Sequence, residues 1–354
     1  MEQNLHFAPP AAARVQSVDC AKSIAIVFVL LIHVSSEVLR GSAAGSVCWL
    51  SALFWGSLAR GAVPLFLLCS GALLLDPARE VTRHIWRRNI PHILLALFVW
   101  AAFYKALGIA AADGVDAAML RGAFRDLMLW RHEAHLYYLP IILLVYAALP
   151  LTRVFTRHAD EKTLHYFLAF WLAFGVLLPT LQMLKLLDGF GGIFRQWPLP
   201  MAWSAIGCTV LGDALRRRPC SVRAAAALIA GGFVLCFAGT WLLSARAGEL
   251  KTPLLEGFSL GPCMMAAGVF SLCVHAGPRL PRRLRPAVQR LSKASFCMYL
   301  VHIAVLRLMY AAGLGAGRLL TALTIPAAAA ICGACSFLVY LMLSRIPWVR
   351  RWLI

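Results

Sequence analysis

The chain has 354 residues, of which 61% are hydrophobic and 14% are charged, and its formal net charge is +19. Because a soluble domain is closer to half apolar, this composition and the mean hydropathy of +0.76 exclude an ordinary soluble fold. The positive charge is typical of loops that orient a membrane protein. Nucleic-acid binding is not expected, since no basic helix or aromatic face stands outside the apolar segments.

About ten segments are apolar for nearly the length needed to cross a bilayer, which is about 20 residues. In chain order they are 18–39, 47–75, 90–110, 136–152, 164–181, 199–215, 222–244, 258–275, 294–312 and 319–343. The second segment contains Arg60, Gly61 and Pro64 near its middle, which predicts a break or tilt there. The sequence therefore predicts an all-α polytopic membrane bundle of about ten helices, forming one domain over residues 1–354.

Lysine and arginine predict the orientation of this bundle. With a cytoplasmic N-terminus, the inner segments contain about twice as many of these residues as the outer segments. Both termini are therefore expected in the cytoplasm. The first apolar run is too long for a cleavable signal peptide, so we expect it to remain as an anchor.

Lys22 and His33 are ionisable residues within the first apolar segment, where such side chains usually mark function. Eleven positions make three helical turns plus roughly 20°, so both residues lie on one face. Glu37 follows His33 by four positions and is predicted to orient its imidazole, while Asp19 precedes Lys22 by three. His33 is a candidate general base. A hydrogen-bonded core histidine and a lysine reaching the membrane surface are the structural alternatives.

A second group of candidates surrounds the middle of the second segment. Arg60 lies well inside this segment and needs a partner or an aqueous cavity. Ser70 and Gly71 would let a ligand approach the backbone closely. Three basic residues lead into the third segment, and guanidinium groups suit phosphates: Arg83, Arg87 and Arg88. Orientation of the loop and contact with lipid head groups are the alternative explanation.

Three further candidates lie later in the chain. His135 begins the fourth segment, and Tyr299 and His302 lie three positions apart on one face of the ninth. A structural hydrogen bond between helices is the alternative for the latter pair. His132, Glu133 and His135 do not have the spacing of a zinc motif, and the eleven cysteines lie mostly in apolar runs, so we expect no metal site.

These residues together resemble the acyltransferase 3 family of membrane O-acyltransferases. The matching motifs occur in family order: D-x-x-R-x10-H at Asp19, Lys22 and His33; R-x-x-V-P-L-F-x-x-x-S-G at 60–71; R-R-N-I-P at 87–91; H-L-W-F-L beginning at His135; and S-x-x-x-Y-L-x-H at Ser295, Tyr299 and His302. The narrower resemblance is to the branch of the enterobacterial common antigen O-acetyltransferase. Lys22 replaces the usual arginine, so it lacks a bidentate fork.

The resemblance implies an enzyme of the bacterial inner membrane that moves an acyl group, acetyl in particular, from cytoplasmic acyl-CoA to a hydroxyl of an envelope sugar, polysaccharide or glycolipid. It implies that Arg83, Arg87 and Arg88 hold the CoA phosphates and that the pantetheine arm passes Lys22, Ser70 and Gly71 to reach His33. Arg60 would stabilise developing negative charge. No hydrolase-like domain follows the last apolar segment, which implies direct transfer to the acceptor.

Two other functions fit parts of the pattern. A secondary transporter or flippase for a lipid-linked sugar would also have about ten helices, a broken helix and buried charges. No inverted repeat is visible, since the His33 segment has no counterpart in the second half. A passive membrane scaffold would have little reason to bury Lys22, His33 and Arg60. The sequence does not predict the oligomeric state, the acceptor, the choice between acetyl and another short acyl group, or whether a covalent acyl-enzyme forms before transfer.

Overall fold

The computed structural model describes residues 15–79, 84–112, 114–316 and 320–354. These residues form helices and connecting loops, with no β-strand among them. Nine helical stretches of this described part are long and apolar enough to cross a membrane. The predicted all-α polytopic bundle is therefore confirmed, and the chain is a multi-pass membrane protein.

The α-helices are numbered here in chain order. They are α1 (Gln16–Gly41), α2 (Val47–Ala59), α3 (Ala62–Leu74), α4 (Ile90–Ala110), α5 (Ala117–Met128), α6 (Tyr138–His158), α7 (Glu161–Trp171), α8 (Leu178–Met183), α9 (Met201–Arg217), α10 (Val222–Ala247), α11 (Leu260–Ala276), α12 (Arg285–Ala311), α13 (Thr321–Leu343) and α14 (Pro347–Trp352). Short π-turns or 3₁₀ turns extend or connect several of them, at Ile85–Asn89, Ala134–Tyr137, Leu172–Leu177, Gly192–Gln196, Pro253–Leu255 and Gly277–Arg279.

The sixth predicted segment corresponds to α9, which is not one of the nine long stretches. It has 17 residues, so at a rise of about 1.5 Å per residue it is roughly 26 Å long. Asp213 in this helix is fully buried, and Arg216 donates to it at 2.8 Å while Arg217 pairs with its other oxygen. Because α9 is this short, the described residues contain nine long stretches where the sequence predicts ten segments.

The break expected in the second segment lies between α2 and α3. Ser46 caps the start of α2 by accepting a hydrogen bond from the Trp49 amide at 3.2 Å. The helix ends at Ala59, and after two residues, Arg60 and Gly61, α3 begins at Ala62. The peptide groups freed at this break lie against α11 rather than lipid, because a side-chain carbon on Gly61 would stand 3.1 Å from the Ala266 nitrogen.

Helix α1 is central to the bundle and packs against α2, α3, α11, α12 and α13. Helices α3 and α9 touch through their backbones, since a side chain on Gly71 would collide with Thr209 and one on Gly212 with Leu68. We name the two ends of the bundle after α1, as the Lys22 end and the Arg40 end. The starts of α4 and α12 and the ends of α3, α9 and α11 lie at the Lys22 end.

Candidate functional site

A cavity of about 770 Å³ follows the face of α1 that carries both Lys22 and His33. Lys22 and Arg40 both line it, and 18 helical residues correspond to about 27 Å along the axis, close to the thickness of a bilayer core. The other polar or aromatic lining residues are His33, Ser36, Arg60, Phe66, Ser70, His92, His135, Tyr137, Tyr138, Tyr146, Glu256, Lys293, Ser295, Phe296 and Tyr299. One face of α1 thus borders a cavity lined by both polar and apolar side chains along most of its length.

Three histidines from three helical segments meet near the middle of this cavity. The ring centroids of His33 and His302 are 4.8 Å apart, those of His135 and His302 are 5.3 Å apart, and those of His33 and His135 are 6.5 Å apart. His33 and His135 line the cavity, whereas His302 is fully buried behind them. The structure therefore brings together three histidines that the sequence separates by more than 100 positions.

Hydrogen bonds to main-chain carbonyls hold this cluster in place. The hydroxyl of Tyr299 donates to the His135 carbonyl at 2.5 Å, and Nδ1 of His302 lies 2.7 Å from the Tyr299 carbonyl. Because a carbonyl can only accept, Nδ1 of neutral His302 carries the proton and Nε2 carries the lone pair. The Tyr104 hydroxyl donates to the Leu300 carbonyl at 2.7 Å and fixes the same part of α12.

Arg60 enters the cavity from the break between α2 and α3. Its Nε is buried without a hydrogen-bond partner, and no carboxylate of the described residues lies within 4.0 Å of its guanidinium. Glu256 and Tyr137 line the same cavity. An arginine inside a membrane protein needs compensation, and the cavity supplies it with space for water or a negatively charged ligand.

The Lys22 end of the cavity is basic. Lys22, His92 and Lys293 line it, and Nε2 of His92 is buried without a partner. Asp19 is not in the cavity: it accepts a hydrogen bond from the Ser292 hydroxyl at 2.7 Å and ties α1 to α12. No lining residue at this end is acidic within the described chain. Anionic groups are the ligands that this end suits best.

The Arg40 end combines both signs of charge with aromatic hydroxyls. Arg40, Tyr137 and Glu256 line it together with Arg60. Glu37 does not line the cavity; its carboxylate pairs with Arg40 at 3.2 Å and its side chain is 60% exposed. The structure therefore does not bring Glu37 to His33. A mixed set of donors and acceptors suits a hydroxylated ligand better than a simple anion.

The remaining predicted residues are divided between the cavity and its surroundings. Ser70 lines the cavity and donates to the Phe66 carbonyl at 3.0 Å, but Gly71 lies against Thr209 and is not part of the lining. Arg87 and Arg88 are exposed on the π-turn at the start of α4, close to the Lys22 end. Arg83 lies outside the described residues.

Several lining residues were not singled out from the sequence. His92 directly follows the R-R-N-I-P motif, so its position was a usable signal, and Lys293 lies two residues before Ser295. In the sequence, Lys293 is one of the lysines and arginines that predict the orientation of the bundle. Tyr137 and Glu256 lie in short turns before α6 and α11, and they reach the cavity only through the packing of separate helices.

The segment around His132 lies beside the cluster without joining it. Glu133 pairs with Arg307 at 2.9 Å, and burial followed by the charge of Lys105 lowers the pKa of His132 below its ordinary value. Within the described ranges, no group of three or more histidine, cysteine or acidic residues has a metal-binding arrangement. The sequence motif around His132 thus contributes His135 to the cavity and Glu133 to an ion pair.

A family model described as an acyltransferase domain, that of the acyltransferase 3 family, matches residues 15–343. No curated protein and no solved structure matches the chain significantly. The match covers α1 to α13 and so includes every helix that lines the cavity. An acyltransferase needs a space in which an acyl donor and an acceptor meet at a base, and the histidine-lined cavity has this form. The chain therefore belongs to the acyltransferase 3 family and is a membrane acyltransferase.

Proposed function

We propose that this protein transfers an acyl group, acetyl in particular, from acyl-CoA on the cytoplasmic side to a hydroxyl of an envelope sugar, polysaccharide or glycolipid. The observation that carries the proposal is the cavity that follows α1 from Lys22 to Arg40 and contains His33 part of the way along. At about 1.5 Å per residue, His33 is roughly 16 Å from Lys22 and 10 Å from Arg40 along the helix. An extended thioester arm from one side and a hydroxyl from the other would meet at this residue.

The Lys22 end is the proposed entrance for the acyl donor. Its three basic groups, Lys22, His92 and Lys293, suit the phosphates of CoA. Exposed Arg87 and Arg88 lie near the same end and would attract an anionic nucleotide. The excess of lysine and arginine at this end of the bundle also supports a cytoplasmic orientation with both termini inside, and hence location in the bacterial inner membrane.

The proposed chemistry uses His33 as the general base. Its imidazole takes the proton of the acceptor hydroxyl while the hydroxyl oxygen forms a bond to the thioester carbonyl carbon. Arg60, whose guanidinium faces the cavity without a carboxylate within 4.0 Å among the described residues, stabilises the developing oxyanion. The carbon–sulfur bond then breaks, the thiolate takes the proton from His33, and an ester and free CoA leave. Glu37 has no role in this scheme, because it points away from the cavity.

The Arg40 end is the proposed entrance for the acceptor. Glu256 accepts hydrogen bonds, Arg40 donates them, and Tyr137 offers a ring and a hydroxyl, a set that suits a sugar. Lipid contact on the outside of the bundle would let a glycolipid approach from the bilayer. The narrower resemblance to the enterobacterial common antigen O-acetyltransferase supports acetyl as the group and an envelope glycan as the acceptor.

The test is label transfer in membranes that contain the protein or its His33→Ala variant. With acetyl-CoA labelled in the acetyl group, we expect the wild type to release free CoA and to label an envelope glycan, identified by mass spectrometry. Loss of the general base is expected to lower the rate by about 10²- to 10⁴-fold. His275→Ala is a matched control, since that histidine binds the Cys220 carbonyl away from the cavity.

A transporter or flippase for a lipid-linked sugar would give a different outcome. It would neither release CoA nor form a labelled ester, and it would move its cargo without acyl-CoA. Retention of full acyl transfer by His33→Ala would also contradict the proposal, because the hydroxyl would then be activated elsewhere.

A further inference from the structure

The three histidines of the cavity are not equivalent, and His302 differs most from the others. His302 is 0% exposed, does not line the cavity, and lies closer to His33 than His135 does. It therefore cannot meet a substrate directly. It can act on a substrate only through a neighbour.

The proton of neutral His302 is fixed by its surroundings. Nδ1 lies 2.7 Å from the Tyr299 carbonyl, so Nδ1 must be the protonated nitrogen and Nε2 must carry a lone pair. Nε2 is buried and has no hydrogen-bond partner among the described residues. Burying such an acceptor without a partner is unfavourable, so a donor is needed close to it.

Of the described rings packed against His302, that of His33 is the closest by centroid, at 4.8 Å with planes inclined by 52°. No described residue forms a hydrogen bond with the imidazole of His33, so either ring nitrogen is available. The carboxylate that the sequence suggested for this purpose, Glu37, is engaged with Arg40. A slight rotation of the His33 ring would direct one N–H to Nε2 of His302.

We propose that His302 is the positioning residue for His33. Its Nε2 accepts one N–H of His33, which leaves the other nitrogen of His33 unprotonated and directed toward the acceptor hydroxyl. When His33 takes the substrate proton, the same hydrogen bond stabilises the imidazolium. The chain of contacts from the Tyr299 carbonyl through His302 to His33 thus selects the tautomer of the base, as buried partners do for other reactive histidines.

This inference rests on the proposed function, so its test compares three variants with wild type and with His33→Ala in one acyl-transfer assay. His302→Phe keeps a ring of similar shape but has no acceptor. His302→Gln places an amide oxygen near the position of Nε2. Arg307→Gln is the matched control, since Arg307 lies on α12 five positions after His302, pairs with Glu133 at 2.9 Å and does not line the cavity.

We expect His302→Phe to lower kcat by about 10- to 100-fold with KM for donor and acceptor changed less than threefold, as for other partners that orient a histidine. His302→Gln should recover most of this loss, and Arg307→Gln should leave kcat within about threefold. A positioning role would be overturned if His302→Phe kept the wild-type kcat, or if His302→Gln were as slow as His302→Phe in folded protein.

The two proposals fail in different ways. If wild type forms no labelled ester, or if His33→Ala is as active as wild type, the proposed function is wrong. If His33→Ala is inactive and His302→Phe is fully active, the general base stands and only the role of His302 is wrong.

Discussion

The two ends of the cavity are built from different side chains. The Lys22 end contains Lys22, His92 and Lys293 and no acidic lining residue in the described chain, whereas the Arg40 end combines Arg40 and Arg60 with Glu256 and Tyr137. The first end carries charge of one sign and suits a polyanion. The second end offers donors and acceptors in similar measure and suits a neutral, hydroxylated molecule.

This difference suggests that one cavity serves two ligands in a fixed direction. A nucleotide would be held by its phosphates at the Lys22 end, and an alcohol would be held by directional hydrogen bonds at the Arg40 end. Substitutions at the two ends should therefore affect different kinetic constants. The largest effect is expected for Arg60, which is proposed to act in the chemical step.

Arg60 should contribute to the chemical step more than to binding. Arg60→Gln removes the charge that faces the oxyanion position, and we expect kcat to fall by about 10²- to 10³-fold, the range for loss of an oxyanion donor. Arg60→Lys keeps a charge but loses the planar fork, so it should be intermediate. Steady-state rates of ester formation measure this effect. An unchanged kcat with a raised KM for the acceptor would assign Arg60 to the binding part of the Arg40 end instead.

Lys22 and Lys293 should affect the acyl donor alone. Lys22→Ala and Lys293→Ala are each expected to raise KM for acyl-CoA about tenfold, equivalent to about 1.4 kcal/mol, with kcat nearly unchanged. The effect should weaken as salt is raised, because it is electrostatic.

The matched control for these lysines is Lys105→Ala, since that ammonium pairs with Asp126 at 3.3 Å and does not line the cavity. Equal effects of all three variants would show that general surface charge, and not the Lys22 end, binds the donor.

Glu256 should affect the acceptor alone. Glu256→Gln keeps the shape of the side chain but turns one acceptor oxygen into a donor, and we expect KM for the acceptor to rise about fivefold, equivalent to about 1 kcal/mol or roughly one hydrogen bond. KM for acyl-CoA should stay within twofold. Competition assays with soluble sugars measure the change, and a larger effect on the donor would reverse the assignment of the two ends.

Glu37 should have the smallest effect. Its carboxylate pairs with Arg40 at the exposed end of α1, and exposed pairs contribute about 0–1 kcal/mol. We expect Glu37→Gln to keep acyl transfer within about twofold of wild type in the same assay. A loss of tenfold or more would mean that Glu37 acts on His33 despite its position, and it would favour the carboxylate over His302 as the orienting group.

Hydropathy was sufficient to predict the fold because a lipid-spanning helix must satisfy its own backbone hydrogen bonds. A long apolar run in such a protein therefore predicts a membrane-spanning helix. The break at Arg60 and Gly61 was also predicted, because arginine, glycine and proline occur together there. The short α9 differs because the buried Asp213 and its arginine partners replace part of its apolar length. The spacing of Asp213 from Arg216 and Arg217 can be seen in the sequence. The burial of Asp213 depends on the packing of other helices, so it cannot be seen there.

The cavity was predicted less completely, for a geometric reason. His33 and Lys22 share a helix face, and periodicity alone placed them together. Glu37 was expected beside His33 on the same argument, yet four residues advance a helix by about 40°, and near the end of α1 this rotation turns Glu37 outward to Arg40. Three other lining residues come from separate helices and turns: His92, Lys293 and Glu256. The sequence pattern of a single segment cannot predict which residues of different segments come together.

The cavity along α1 also bears on the electrical properties of the membrane. The cavity follows α1 for about 27 Å, close to the thickness of the bilayer core, and the two imidazoles that line it, His33 and His135, can relay protons. A cell with a proton gradient across this bilayer would lose energy through such a path whenever it filled with water. An acyl-CoA arm lying in the Lys22 half would displace that water, so occupancy by the donor would also keep the membrane sealed.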